Sequence, residues 1–216
     1  VISGKWYWEV YIERGHDTFM YAGISSGSEG GGHYSGYAHL NGMTASAIRI
    51  RNNGALSDSS GVDNPDRWGT ITLTDTGVSS FDDGDILMFA LDYDNKKLFI
   101  GKNGTFFNSG NPVNGTNPQA TWTGDVPVIY PCCEPYYSTN NITANFGQDS
   151  SFVNRKTSGS ANATDSNGYG TFFYTPSTDF LSLNSANSPT SSDIDATGDD
   201  GEDENPSKQF AVVTYT

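Results

Sequence analysis

The 216-residue sequence predicts an all-β fold, an antiparallel β-sandwich, and three observations carry that prediction. No window sustains the hydrophobic period of a helix. Aromatic and β-branched runs alternate with polar residues at a period of two, the side-chain period of a strand. Between the runs stand Gly, Ser, Thr and Asn, the residues that turns demand, with Gly alone occurring 25 times.

The first strand is expected within residues 4–13. There Trp6, Trp8, Val10 and Ile12 alternate with Lys5, Tyr7, Glu9 and Tyr11, the pattern of a half-buried strand. Residues 18–26 form the next, followed by a glycine-rich loop at 26–42. Within residues 44–56, Ile48 and Ile50 alternate with Arg49 and Arg51, and Asn53-Gly54 suits a hairpin turn. Residues 83–107 read as strand, tight turn, strand, tight turn, with Asp94-Asn95 and Asn103-Gly104 at the turns. Ile86, Met88 and Ala90 alternate with Leu87, Phe89 and Leu91, so both faces are apolar and the strand belongs in the middle of a sandwich. Residues 126–137 and 142–147 complete the set.

Beyond residue 153 the chain changes character. Residues 154–170 are polar and rich in Ser, Asn and Thr, whereas 170–184 recover apolar content and are expected to dock on the sandwich. Residues 185–208 read as an acidic flexible linker, and 209–216 as the first strand of a following module. Both ends of the chain read as excision points, so a longer functional unit is expected.

Charge narrows the partners. The formal net charge is −14, which repels phosphate backbones and anionic lipid surfaces. Nucleic acid and membrane insertion are therefore not expected, and the longest apolar run is too short to span a bilayer. Seven of the 25 acidic residues lie between Asp193 and Glu204, so the body itself is only mildly acidic. Cys132 and Cys133 are adjacent, point to opposite faces of a strand, and are not expected to pair with each other. They read as one core residue and one partly covered residue.

Residues 3–10 (SGKWYWEV), 84–106 (GDILMFALDYDNKKLFIGKNGTF), 128–137 (VIYPCCEPYY) and 144–152 (ANFGQDSSF) resemble the SPRY (B30.2) domain family in order and spacing. The resemblance covers residues 1–153 and implies a bent antiparallel β-sandwich of concanavalin-like two-sheet architecture. It also implies that the strands which normally precede residue 4 are missing, and that partners bind at rim loops. Residues 168–189 and 206–216 resemble segments that follow SPRY modules in bacteriophage tail and other structural proteins. This implies a virion subunit in an oligomeric assembly: a tail fibre, tail appendage or capsid decoration.

The candidate partner-binding residues are Tyr34, Tyr37, Arg49, Trp68, Tyr136 and Tyr137. Tyr37 and Tyr137 fall near positions where the resemblance places rim aromatics. An aromatic at a loop tip supplies rigid area with a polar end, the chemistry of interface hot spots; the alternative is a tyrosine packed on its own loop. Arg49 and Arg51, two apart on one strand face, are a candidate basic patch for an acidic partner or a pair that simply solvates an exposed face. Trp6 and Trp8 read as core. Asp193, Asp195, Thr197, Asp199 and Glu204 occupy positions one, three, five, seven and twelve of a calcium-loop spacing, with Gly198 at six. Thr stands where Asp or Asn is usual and the flanks are not helical, so a solvated acidic linker is the competing reading.

No cofactor is expected, calcium aside. His16, His33 and His39 have no nucleophile motif around them. Asp82, Asp83, Asp85, Asp92 and Asp94 could supply a glycosidase-like carboxylate pair, but they sit where turns and strand ends need them. The expectation is a non-enzymatic module binding another virion protein or a host surface receptor. The alternatives are a cellular SPRY adaptor that binds a peptide, and a lectin-like module that stacks glycans on loop aromatics.

Overall fold

A computed structural model describes residues 1–14, 20–26, 47–59, 68–135, 140–157 and 163–187. Among these residues the architecture is two antiparallel sheets, as the period-two pattern predicts. The larger has the order β11-β1-β6-β7-β9-β5. Its strands are β1 (Lys5–Arg14), β5 (Ile71–Leu73), β6 (Ile86–Asp92), β7 (Lys97–Lys102), β9 (Ala120–Trp122) and β11 (Asn141–Asn145), with β8 (Thr105–Phe106) on β7. A two-residue strand, β12 (Leu181–Ser182), pairs parallel to β1. The smaller sheet has the order β10-β2-β3-β4, formed by β10 (Ile129–Pro135), β2 (Met20–Ser26), β3 (Ala47–Arg51) and β4 (Leu56–Ser59).

The turns follow from their residues. Asn103 (φ 51°) and Gly104 (φ 88°) both take left-handed dihedrals between β7 and β8, the demand of a type I′ hairpin turn. Gly54 closes the β3–β4 hairpin, its N–H donating to the Arg51 carbonyl at 2.8 Å. The carboxylates around these strands also close turns: Asp85 accepts from Asp82 N–H at 2.9 Å and from Asn103 Nδ2 at 2.7 Å. Asp92 accepts from Asn95 at 3.1 Å or less, and Asp94 from Gly4 N–H at 3.1 Å. These contacts match the turn and strand-end reading of the carboxylates.

The main core fills the space between the sheets. Trp8, Val10 and Ile12 of β1 meet Met20, Ala22 and Ile24 of β2 there, with Leu87, Phe89 and Leu91 of β6. Trp8 lies opposite Phe89 in register, and the two rings stack at 5.2 Å. Such a cross-strand aromatic pair adds about 0.5–1.5 kcal/mol beyond its buried area. Trp68 pins the sheets together. Its ring meets Trp122 of the larger sheet edge-on at 5.1 Å, and its Nε1–H donates to Ser26 Oγ of the smaller at 3.1 Å.

A second core lies on the outer face of the larger sheet. Tyr7, Met88, Ala90 and Phe99 are covered there by Phe172 and Phe180 of the chain's extension, residues 163–187. Phe172 meets Tyr7 edge-on at 5.1 Å, and both are fully buried. Phe172 and Phe180 thus bring apolar side chains of residues 170–184 onto the sheet. This layer corrects the reading of β1 as half-buried: Tyr7 and Glu9, on its nominally polar face, are both 0% exposed. It also supplies the second cover for β6, whose residues are all buried. Gly147 and Gly170 let the extension approach closely, since a Cβ on Gly170 would lie 3.2 Å from the Gly147 Cα and 2.9 Å from the Phe172 ring.

Two buried carboxylates organise the extension, with opposite consequences for pH. Glu9 accepts from Phe173 N–H at 2.9 Å, Tyr174 N–H at 2.7 Å, Tyr7 Oη–H at 3.0 Å and Asn145 Nδ2 at 3.2 Å. Burial raises its carboxyl above the ordinary 4.5, against the pull of these bonds. Asp165 accepts from Ser182 N–H at 2.8 Å and Oγ–H at 2.6 Å, from Asn187 Nδ2 at 2.7 Å, and from Asn167 and Tyr169 N–H at 3.0 and 2.9 Å. Burial opposes its ionisation, yet the bonds led by Ser182 hold it below the ordinary 3.8. A depressed folded value contributes stability above the unfolded value, lost as pH falls through the folded one. A raised value has the opposite sign, so Glu9 adds no such acid-side loss. Urea titrations of the wild type and Asp165→Asn are expected to differ at pH 7 and to converge as pH falls below 3.8. A gap that persists unchanged at pH 3 would contradict the assignment.

Candidate partner-binding face

Alternation along β2 sends Met20, Ala22 and Ile24 into the main core and leaves Tyr21, Gly23 and Ser25 on the outer face of the smaller sheet. Register places Arg49 of β3 opposite Gly23, and Arg51 opposite Tyr21. On the other flank of β2, β10 sets Tyr130 opposite Ser25, Cys132 opposite Gly23 and Glu134 opposite Tyr21.

The face is built around the empty place at Gly23. A Cβ there would lie 2.1 Å from the Ile48 carbonyl oxygen and 2.7 Å from the Arg49 Cα. Without one, the Arg49 side chain crosses β2, its guanidinium 4.3 Å over the Tyr21 ring, and reaches Glu134 Oε2 at 3.4 Å on the far strand. Its Nε–H donates to Ser57 Oγ of β4 at 3.2 Å. One side chain therefore ties all four strands of the smaller sheet. The Arg51 guanidinium lies 5.9 Å over the same Tyr21 ring.

This arrangement corrects two expectations. Arg49 is not on an exposed strand face: it is 3% exposed and its partner Glu134 is 6% exposed. The alternation gave its face correctly, but the aromatic bed of Tyr21 and the cross-sheet carboxylate bury it. Trp68, a candidate partner-binding residue, is 1% exposed and packs between the sheets. Its indole finds both an aromatic partner and a hydroxyl acceptor inside, which removes any need for the surface. Tyr34, Tyr37, Tyr136 and Tyr137 lie outside the described residues, as do Asp193, Asp195, Thr197, Asp199 and Glu204 of the calcium-loop spacing. Among the described residues no group of three or more His, Cys, Asp or Glu is arranged to hold a metal ion.

Tyr130 was not among the sequence candidates. It is 50% exposed, on the same face as the Arg49–Tyr21 stack. Its signal in the sequence was positional. In VIYPCCEP it alternates with Ile129, which is buried, so it had to face outward on a rigid strand.

Cys132 shares this face, and Cys133 packs against the main core, as two neighbours on one strand must. Burial pushes the Cys133 thiol up to about 12, and burial followed by the neighbouring Cys133 pushes Cys132 up as well. Nucleophilicity belongs to the thiolate, so both thiols are expected to resist iodoacetamide at pH 8 in the native protein and to react on denaturation. Rapid native alkylation would contradict this placement.

No family model matches the chain, and no curated protein does. Among solved structures the chain is similar to the SPRY domain of human HERC1, with 22% identity over 67% of this chain and 76% of that one, at a TM-score of 0.41. The all-β, two-sheet antiparallel architecture stands on the strand pairings themselves.

Proposed function

We propose that the chain is a non-enzymatic protein-binding module of a phage virion structural protein, and that it meets its partner through the outer face of the smaller sheet. The observation that carries this reading is Tyr130, half exposed on a rigid strand beside the Arg49–Tyr21 stack. A half-exposed Tyr on a pre-organised strand supplies the contact chemistry of interface hot spots, with little side-chain entropy left to lose, and the buried Arg49 stiffens the sheet beneath it.

The virion context draws on the sequence resemblance of residues 168–189 and 206–216 to segments of phage structural proteins. It implies an assembled particle as the location, and another virion subunit or a host surface receptor as the partner. Density for this chain in an assembled particle, with Tyr130 at a contact, is the expected result. Tyr130→Ala is expected to weaken that contact by about 1–3 kcal/mol while leaving the unfolding midpoint within experimental error. A particle in which Tyr130 faces bulk solvent would sink the reading. The exposed ring also suits stacking on a sugar, so a glycan receptor is the second reading. Glycan-array binding lost with Tyr130→Ala or Tyr37→Ala would favour it.

A further inference from the structure

The extension is held to the body by contacts that do not depend on how the two are joined. Glu9 receives two consecutive backbone amides, those of Phe173 and Tyr174. The edge of β1 that β11 leaves free at Trp6 and Tyr7 is taken by Leu181 and Ser182 in parallel register. Phe172 and Phe180 fill sockets formed by Tyr7, Met88, Ala90 and Phe99.

The extension also carries its own internal order. Asp165 ties its first turn to Ser182 and Asn187, and Ala163 bridges to Phe172. It is joined to the body through residues 158–162, Ser-Gly-Ser-Ala-Asn, a sequence without a large apolar side chain. A strap with internal bonds of its own, a complete socket, and a join whose sequence holds no large apolar side chain together suit exchange between copies.

We propose that the outer face of the larger sheet is an exchangeable docking groove, and that its occupant in an assembly is the 163–187 segment of a second copy of this chain. The fit needs no new complementarity, because the segment seated there in cis is the one a second copy offers. The cis segment competes at the effective concentration set by a join of only five residues, about millimolar. Exchange is therefore suppressed in dilute solution and favoured where copies are crowded. This goes beyond the partner-binding reading, since it concerns the opposite sheet and a partner of defined sequence.

Two full-length variants test it. Glu9→Lys blocks the groove and leaves the strap intact. Phe172→Ser with Phe180→Ser blocks the strap and leaves the groove intact. Mixed at equal concentration and followed by light scattering, they are expected to form a complex of two-chain mass, enriched about tenfold or more over either variant alone. Absence of that complex, with both variants keeping the near-ultraviolet signal of the Trp8 and Trp68 core, overturns the proposal.

If either variant fails to fold, the wild-type chain carrying a protease site inserted within 158–162 decides. Cut after folding, it is expected to keep its mass and to take up a fluorescent synthetic 163–187 peptide in excess, but not the same peptide with Phe172→Ser. Shedding of the cut segment, or failure to take up the wild-type peptide, overturns the proposal.

Discussion

Gly23→Val is expected to destabilise the protein by about 4 kcal/mol or more, a loss in the range that only severe backbone conflict or buried-group disruption produces. The new Cβ would fall 2.1 Å from the Ile48 carbonyl oxygen and 2.7 Å from the Arg49 Cα, both backbone atoms of the neighbouring strand. Relief requires β2 and β3 to separate, which breaks their ladder in the middle of the smaller sheet. The side chain would also stand in the path by which Arg49 reaches Glu134. Severing a buried pair on one side leaves an uncompensated charge, which costs more than the pair itself contributes. Chemical denaturation followed by tryptophan fluorescence measures the effect. A variant within about 1 kcal/mol of wild type would show that the smaller sheet does not have this register.

Glu9→Gln is expected to cost about 1–3 kcal/mol, although it removes no volume and one formal charge. Both Glu9 oxygens accept, Oε1 from Tyr7 and Tyr174, Oε2 from Asn145 and Phe173. A carboxamide offers one oxygen and one NH2 group; with its oxygen toward Asn145 and Phe173 the Tyr7 hydroxyl can turn to accept, but the Tyr174 N–H would face a donor inside a site that is 0% exposed. Each buried donor left unsatisfied costs about 1–3 kcal/mol. The loss should fall on the extension first. Limited proteolysis is expected to cut the variant near residues 163–187 while the sandwich survives. Wild-type resistance in that variant would mean that the carboxylate does not hold the extension.

Much of the strand set was legible in the sequence, and the exceptions share a cause. Trp6 to Ile12, Ile86 to Leu91 and Ile48 to Arg51 repeat their alternation long enough to define a strand and its faces. β5 and β9 are three residues each and β12 is two, too short for a period to register. The anchor of the extension was not legible in the sequence. Glu9 looks like any solvent-facing acid within β1, and its partners lie 164 and 165 residues further on. Arg49 failed for a related reason. Alternation assigns a side chain to a face, yet only the register across β2, with no side chain at Gly23, shows that the guanidinium is roofed and paired. Trp68 stands in a stretch without strand pattern, so its place between the sheets rests entirely on contacts distant in sequence. Tyr130 follows from parity alone, because an aromatic that alternates with the buried Ile129 on a strand faces outward.

The layered arrangement rests on a carboxylate of β1 reaching the backbone of a segment far along the chain. Amide hydrogen exchange at Phe173 and Tyr174 reads that contact directly, because both N–H groups donate to the Glu9 side chain. Protection approaching that of the β6 amides, lost in Glu9→Ala, is the expected result. Exchange at the rate of an open loop, with β6 still protected, would contradict it.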